Sequence, residues 1–137
     1  MILAKTTSYA LRILIYMATR NGELISAESL HQALKIRKQY LRRLLTELSK
    51  NGFIKSSLGR NGGYVFARNP KKIFVAEIID AVEGFASFDA CLLGESDCAR
   101  AELCEVHVMW EEVKKRMITS FRTTSLHDLK ITGLNEL

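Results

Sequence analysis

The sequence predicts a mainly α fold with a small β-wing (α+β), a winged helix-turn-helix followed by a long C-terminal dimerisation helix. Two short amphipathic segments joined by a very brief connection, a glycine-rich hairpin directly after them and a long apolar stripe near the C-terminus predict it. We expect a winged helix-turn-helix DNA-binding domain over residues 1–84, a cysteine segment over residues 85–104, and a dimerisation helix with a C-terminal turn over residues 105–137.

Two helices are predicted at the N-terminus. From Ile2 to Arg20, apolar residues recur at the spacing of one helical stripe, and Asn21-Gly22 ends the segment. Ser26 can cap a second, short helix that runs through Leu34, because its side chain can accept a hydrogen bond from a free N–H group of the first turn.

A third helix follows after a connection of three residues, Lys35-Ile36-Arg37. It runs from about Lys38 to Lys50, and Asn51-Gly52 ends it. Two short helices joined by so brief a turn make a helix-turn-helix. The predicted buried face of the third helix comprises Tyr40, Leu41, Leu44, Leu45 and Leu48.

A β-hairpin is predicted next. Residues Phe53–Ser57 and Tyr64–Arg68 are rich in strand formers, and the residues between them include three glycines and an asparagine that can form a hairpin tip. A hairpin with a basic tip, placed directly after a helix-turn-helix, is typical of a wing. Asn69-Pro70 then breaks the chain.

The sequence pattern predicts two more helices in the C-terminal part of the chain. One spans about Val75 to Val82 and stops near Gly84, and no period is visible between Phe85 and Arg100. The last helix has one long apolar face, which we expect to pack across a two-fold axis in a homodimer. That face comprises Val106, Met109, Trp110, Val113, Met117 and Phe121, and the predicted dimer interface comprises Val106, Trp110, Val113 and Met117. Thr124 or Ser125 can cap a short terminal turn.

The charge is divided along the chain, although the net charge is only +5. Between Lys35 and Lys72, eleven Lys or Arg residues stand against one acid, whereas between Glu77 and Glu112 ten Asp or Glu residues stand against one base. We therefore expect a polyanion to meet the first half of the chain. The apolar run at Leu11–Ala18 is too short for a membrane span, so we expect a cytoplasmic protein with no membrane partner.

The third helix carries the strongest signal for double-stranded DNA. Arg and Gln side chains can bond base edges in a major groove, and Lys favours phosphate. A solvated charged face is the alternative, but the charge here is nearly all of one sign. The wing tip could place Arg60 in a minor groove. The predicted DNA-binding residues are Arg37, Lys38, Gln39, Tyr40, Arg42, Arg43, Lys55, Arg60 and Asn61.

Three cysteines and one histidine are the candidate metal ligands. Cys91, Cys98 and Cys104 are separated by six and five residues, and His107 follows the last cysteine after two more. Such a set can bind zinc or an iron–sulfur cluster. Three small buried residues or a reactive thiol are the alternatives, but the polar loop around the cysteines offers little for a core. We expect no enzymatic activity. The glycine-rich tip does not indicate a nucleotide site, since no Lys-Ser/Thr pair follows it and no helix starts there.

The chain resembles, over essentially its whole length, the winged-helix regulators that include IscR, NsrR, RirA and CymR. The resemblance implies a homodimer held by crossed long helices, a roughly palindromic operator, and an iron–sulfur cluster on the three cysteines that changes the affinity for DNA. The motifs that carry it are Tyr9-Ala10-Leu11-Arg12, Tyr40-Leu41, Leu48-Ser49-Lys50-Asn51-Gly52-Phe53-Ile54, Gly59-Arg60-Asn61-Gly62-Gly63-Tyr64 and Thr124-Ser125-Leu126-His127-Asp128-Leu129.

In its ligand pattern the chain is most similar to IscR, with His107 as the fourth ligand, although the first gap between cysteines is six residues here and five in IscR. The resemblance favours a [2Fe-2S] cluster over a [4Fe-4S] cluster, and a repressor that senses redox state or nitric oxide. Leu58 and Arg42 differ from the IscR residues at those places, so the operator sequence does not carry over. A structural zinc site, or a thiol-redox sensor without a cluster, remains the alternative.

Overall fold

The computed structural model describes residues 3–20, 22–94 and 103–129, and within these ranges it contains five α-helices and one antiparallel hairpin. The predicted fold class, mainly α with a small wing, is confirmed. The elements are α1 (Lys5–Thr19), α2 (Ala27–Leu34), α3 (Lys38–Lys50), β1 (Ile54–Ser57), β2 (Gly63–Phe66), α4 (Val75–Val82) and α5 (Glu105–Thr123), with short helical turns at Pro70–Lys72, Ala86–Phe88 and Leu126–Asp128.

The helix-turn-helix forms at the predicted residues. The Ser26 side chain accepts a hydrogen bond from the Ser29 N–H group at 3.1 Å and so caps α2. Lys35 adopts the left-handed conformation with φ of 54°, which turns the chain sharply. His31 stabilises this turn, because its Nδ1 donates to the carbonyl oxygen of Ile36 at 2.6 Å.

The main core lies where α1, α2 and α3 meet. Ile13 and Leu14 of α1, Leu30 of α2 and Leu45 of α3 are fully buried there, so the helical stripes of the sequence converge on one cluster. Tyr40 was predicted to be buried with the leucines of α3, but it is only half-buried. It lies at the edge of the core and packs against the cluster from outside.

The wing consists of β1 and β2, paired in antiparallel fashion with Ile54 opposite Phe66 and Ser57 opposite Gly63. β1 begins one residue later than predicted, and β2 begins one residue earlier and ends two residues earlier than predicted. The hairpin is joined to the domain by an isolated bridge, in which Ile25 and Tyr64 exchange two backbone hydrogen bonds of 3.1 and 2.8 Å. The Ile25 bridge therefore anchors the wing near the tip end of β2 to the segment that precedes α2.

The chain returns to the winged domain after α5. Phe74 and Ser125 form an isolated bridge, the Val75 N–H donates to Thr124 at 3.0 Å, and the Leu126 N–H donates to Ile73 at 2.9 Å. The Leu126 side chain is fully buried in the main core. Backbone pairing thus joins the end of α5 to the start of α4.

A second, smaller apolar cluster connects α4 to α5. It is formed by Val75, Ile79 and Phe88, and Met117 and Phe121 of α5 pack against it. One side of α5 is therefore covered by its own chain. Within the described residues, no helix is long and apolar enough to cross a membrane.

The apolar face that the sequence predicts for α5 is divided in two. Met117 packs on the second cluster, and the Trp110 indole donates to the carbonyl oxygen of Ala90. Met109 and Val113, in contrast, are 50% and 44% exposed. Neighbouring positions of one stripe thus have different surroundings, because α4 and the turn at Ala86–Phe88 reach only part of the helix.

Candidate functional site

The outer face of α3 is exposed and cationic. Arg37, Gln39, Arg42 and Arg43 are exposed, on the side of the helix opposite the buried leucines. Arg42 and Arg43 form no ion pair within the described part of the chain. These guanidinium groups are free to meet an anionic partner, and their geometry suits paired hydrogen bonds to phosphate or to a guanine edge.

Lys38 differs from its neighbours because it pairs with an acid. Its Nζ lies 2.8 Å from Oε2 of Glu28, in the first turn of α2, and both side chains are about half exposed. The hydrogen bond from Lys38 lowers the pKa of Glu28, so this carboxylate is ionised at neutral pH. Glu28 therefore places a negative charge beside the cationic face, a feature that the sequence analysis missed because the pair joins two helices.

Tyr40 joins the start of α3 to α1. Its hydroxyl donates to Oγ1 of Thr6 at 2.8 Å, and its ring meets the Tyr9 ring edge-on with the centroids 5.6 Å apart. The Arg12 guanidinium lies over the Tyr9 ring at 5.6 Å and donates to the carbonyl oxygen of Leu34 at 3.2 Å. These contacts set the position of α3; a DNA contact by Tyr40 stays a prediction.

An open groove of about 750 Å³ lies beside this contact, between the start of α1 and the turn before α3. Three cations line it, Lys5, Lys35 and Arg37, together with the hydroxyl groups of Thr6 and Tyr40. Lys5 and Lys35 were not among the predicted DNA contacts. Lys35 could have been recognised from the sequence, since it lies in the predicted helix-turn-helix connection, whereas Lys5 comes close only through the packing of α1.

The wing extends the cationic surface. Lys55 on β1 and Arg60 and Asn61 at the tip are exposed, as the sequence predicts for residues that meet DNA. Leu58 is 96% exposed beside them. Gly59 has φ of +121°, a conformation that side chains disfavour, which explains why the tip requires glycine there.

Two contacts orient the wing. Gly63 lies so close to the segment before α2 that an added Cβ would stand 2.5 Å from the Ile25 carbonyl oxygen. At the far end of the hairpin, Nη1 of Arg68 pairs with Oε1 of Glu77 at 2.9 Å. Burial raises the pKa of Glu77, but hydrogen bonds from the Phe74 N–H and from Arg68 outweigh it, so the pKa is lowered overall.

The cysteine segment begins at a firmly packed residue. Phe88 is 2% exposed, and its ring meets those of Phe85 and Phe121 at centroid distances of 5.6 and 6.4 Å. Cys91 follows as a half-buried free thiol. Its neighbour Ala90 accepts the hydrogen bond from Trp110 Nε1 at 3.0 Å, so the segment touches α5 directly before the thiol.

The other candidate ligands lie at the start of α5. Cys104, also a half-buried free thiol, occupies the N-cap position, and His107 is half-buried one turn further on. Cys98 lies outside the described residues. Among the described residues, no three His, Cys, Asp or Glu side chains come together as a metal site. The predicted ligand set, Cys91, Cys98, Cys104 and His107, therefore stays a prediction.

Comparison with known proteins places this geometry in a family. The model of the Rrf2 family, described as iron-dependent transcriptional regulators, matches residues 3–131. The regulator NsrR of Bacillus licheniformis is 33% identical over 110 residues, which cover 78% of this chain and 77% of that protein. IscR of Xenorhabdus nematophila is 34% identical over 90 residues, which cover 66% of this chain and 54% of that protein, so this match spans about half of that regulator's length. Among solved structures, CymR of B. subtilis, described as the global cysteine regulator, is 26% identical, with 93% of this chain and 95% of that chain covered and a TM-score of 0.75.

Proposed function

The chain belongs to the Rrf2 family of transcriptional regulators, and we propose that it binds a roughly palindromic operator as a homodimer, with an affinity controlled by an iron–sulfur cluster. Its relatives are regulators and not enzymes. The proposal has three parts: a DNA-reading surface, a dimer that sets the spacing of two such surfaces, and a cluster site at the start of α5.

The observation that carries the DNA-reading part is the exposed cationic face of α3. Arg42 and Arg43 point away from the core and lack ion-pair partners within the described residues. An arginine can bond the O6 and N7 atoms of guanine at once, which discriminates one base from another by about 1–3 kcal/mol. Lys55 and Arg60 of the wing lie on the same basic stretch of chain, where they would contact the backbone and the minor groove.

The exposed side of α5 supports the dimer. Met109 and Val113 are about half exposed and, with the half-buried Val106, form an apolar strip that the described part of the chain leaves open. A helix of 19 residues with such a strip is suited to pack on its symmetry mate. A two-fold dimer would place the two α3 helices about 34 Å apart, one turn of DNA, and so favours a palindromic site.

The chemistry of Cys91, Cys104 and His107 fits a cluster. Cys91 and Cys104 are free, half-buried thiols, and His107 lies one turn beyond Cys104, so thiol and imidazole groups of the kind that bind iron are available here. We propose that Cys91, Cys98 and Cys104 hold the cluster, with His107 as the fourth ligand and [2Fe-2S] as the favoured type. When bound there, the cluster would supply a redox-active centre whose charge changes with its oxidation state, and reaction with nitric oxide would alter its iron ligands.

A series of contacts through α5 connects the cysteine segment to α3. The segment touches α5 through Trp110, and the other end of α5 pairs by its backbone with residues 73–75. Leu126 then enters the core that α3 shares. A change of position at the start of α5 would therefore change the spacing or orientation of the two α3 helices on DNA. This is the basis of the proposed repressor control.

The DNA-reading part is tested with two matched variants. Arg43→Ala should weaken binding to a selected operator by about 1–3 kcal/mol and leave nonspecific binding nearly unchanged, because it removes a base contact. Lys55→Ala should weaken binding to all sequences, because it removes a phosphate contact. The slope of log binding constant against log salt concentration should decrease in magnitude by about one. If both variants bind the operator as wild type does across a salt series, α3 and the wing do not read DNA.

The cluster part is tested by anaerobic reconstitution. Wild-type protein treated with iron and sulfide should develop visible charge-transfer absorption, contain both elements, and change its operator affinity. Each single Cys→Ala variant should lose the cluster, whereas His107→Ala should keep an altered or more labile one. Binding of zinc alone, with DNA affinity indifferent to the metal, would instead support the structural-zinc alternative. No bound metal, with DNA affinity sensitive to thiol oxidation, would support the thiol-redox sensor.

A further inference from the structure

We infer that Trp110 is a positioning residue that holds Cys91 against the helix carrying Cys104 and His107. The inference rests on the proposed cluster site, and it assigns a role to a side chain that is not itself a ligand. It depends on one long-range contact, on the shape of the turn that carries Cys91, and on the spacing of residues along α5.

The contact is the hydrogen bond from Trp110 Nε1 to the carbonyl oxygen of Ala90, 3.0 Å long and twenty residues apart in sequence. Indole nitrogen can only donate, so this bond has one possible sense. Ala90 is the residue directly before Cys91. The bond therefore anchors the backbone next to the thiol, and not a distant part of the segment.

The residues after Ala90 form a tight turn. The Gly94 N–H donates to the Cys91 carbonyl oxygen at 3.0 Å, and Gly94 adopts a left-handed φ of 85°. The Leu93 N–H points at Cys91 Sγ, 3.4 Å away. The thiol of Cys91 thus belongs to a small folded unit, and Trp110 holds one end of that unit.

Trp110 lies on the same part of α5 as the other described candidate ligands. His107 and Trp110 lie three residues apart on α5, as neighbours in one ridge of the helix, and Cys104 occupies the N-cap position three residues before His107. Trp110 is six residues from Cys104, a rise of about 9 Å along the axis. The indole therefore ties the residue before Cys91 to the N-terminal third of α5, which also carries His107.

The apolar anchor of the segment does not replace this bond. Phe88 fixes the start of the segment through its contacts with Phe121 and the second apolar cluster. It lies three residues before Cys91, and rotations at Asp89 and Ala90 could still carry the thiol away from α5. Trp110 removes that freedom, because it holds the last carbonyl group before the thiol.

The first test measures Cys91 alone, in protein without a cluster. In a Cys98→Ser/Cys104→Ser background, Cys91 is the single thiol, and its rate of alkylation by iodoacetamide reports how often the turn leaves α5. Trp110→Phe keeps an aromatic ring but removes the donor, so the rate should rise about 2–10-fold, the effect of one net hydrogen bond. Lys115→Ala in the same background is the matched control, since Lys115 is exposed on α5 and lies outside the predicted dimer interface.

The second test uses the chain with all three cysteines. The Trp110→Phe protein, reconstituted with iron and sulfide, should give a cluster with an altered visible circular dichroism spectrum. It should also release iron to a chelator about 2–10-fold faster than wild type or Lys115→Ala. Thermal melting of each variant would show that all are folded, so that a general loss of stability is not the cause.

The two tests separate this inference from the cluster proposal. If wild type binds no cluster but Trp110→Phe still raises alkylation of Cys91, the positioning role stands and the cluster proposal fails. If Trp110→Phe alkylates at the control rate, the positioning role is wrong, whatever the cluster measurements show.

Discussion

Gly63 is the position where a single methyl group should most directly separate the wing from the rest of the domain. An added Cβ would stand 2.5 Å from the carbonyl oxygen and 2.7 Å from the carbonyl carbon of Ile25, and 3.0 Å from the Ser26 nitrogen. All three are backbone atoms, so no side chain can rotate away. Gly63 does not have a left-handed φ, and the requirement for glycine is therefore one of space alone.

The size of the effect follows from these distances. Ordinary contact begins at 3.4 Å, so the strand and the Ile25 segment must part by about 0.9 Å, the difference between 3.4 and 2.5 Å. That movement stretches the two hydrogen bonds between Ile25 and Tyr64, now 3.1 and 2.8 Å long. Overpacking of this kind costs about 1–3 kcal/mol, which for a chain of this size lowers the melting temperature by about 4–12 °C.

The assay compares Gly63→Ala with Gly52→Ala by thermal melting and by operator binding. Gly52 has φ of +78° with open space around its Cβ position, so alanine there costs backbone strain of about 1–2 kcal/mol but displaces nothing. Both variants should melt earlier, but only Gly63→Ala should also lose about fivefold or more in operator affinity, because it displaces the wing. A Gly63→Ala protein that melts and binds as wild type does would refute the reasoning.

Two further predictions concern the charge beside α3 and the exposed side of α5. Glu28→Gln should raise the affinity for all DNA sequences and steepen the salt slope by about one, because it removes a carboxylate and frees Lys38 for phosphate; an unchanged salt titration by fluorescence anisotropy would contradict this. Val113→Glu should produce monomers or insoluble protein, because it buries a charge in the proposed two-fold interface, whereas Arg116→Glu, at an already polar and exposed position, is its control. Sedimentation that finds wild-type protein monomeric at micromolar concentration would count against the interface itself.

The local elements of the DNA-reading half could be predicted from the sequence because their signals lie within a few residues. Ser26 caps α2 by a bond to a residue three positions away, and Lys35-Ile36-Arg37 forms the predicted connection. The bounds of α3 agree with the prediction, since its leucines repeat at helical spacing and Asn51-Gly52 ends it. The wing also forms where predicted, with strand bounds that differ from the prediction by one or two residues.

The candidate site was predicted less completely, because several of its contacts join residues far apart in sequence. Spacing alone placed Lys38 on a free cationic face, whereas the fold brings Glu28 to it from another helix. Tyr40 was expected in the core, but it is half-buried, and its hydroxyl donates to Thr6, thirty-four residues away. A periodic pattern shows whether a residue faces the core or the solvent, but it does not identify which residue of another element will contact it.

The sequence by itself determined the fold class, the order of the elements and the presence of three thiols with a nearby imidazole. It also determined the division between the basic DNA-binding stretch and the acidic stretch that follows it. These properties follow from composition and from periods of two or 3.6 residues, which act locally. Only the tertiary structure decided that Gly63 must lie against Ile25, that Trp110 holds the residue before Cys91, and that one side of α5 is covered by its own chain while Val113 stays exposed. Such contacts depend on how the chain returns on itself, because two segments meet only after every turn and packing angle between them is set.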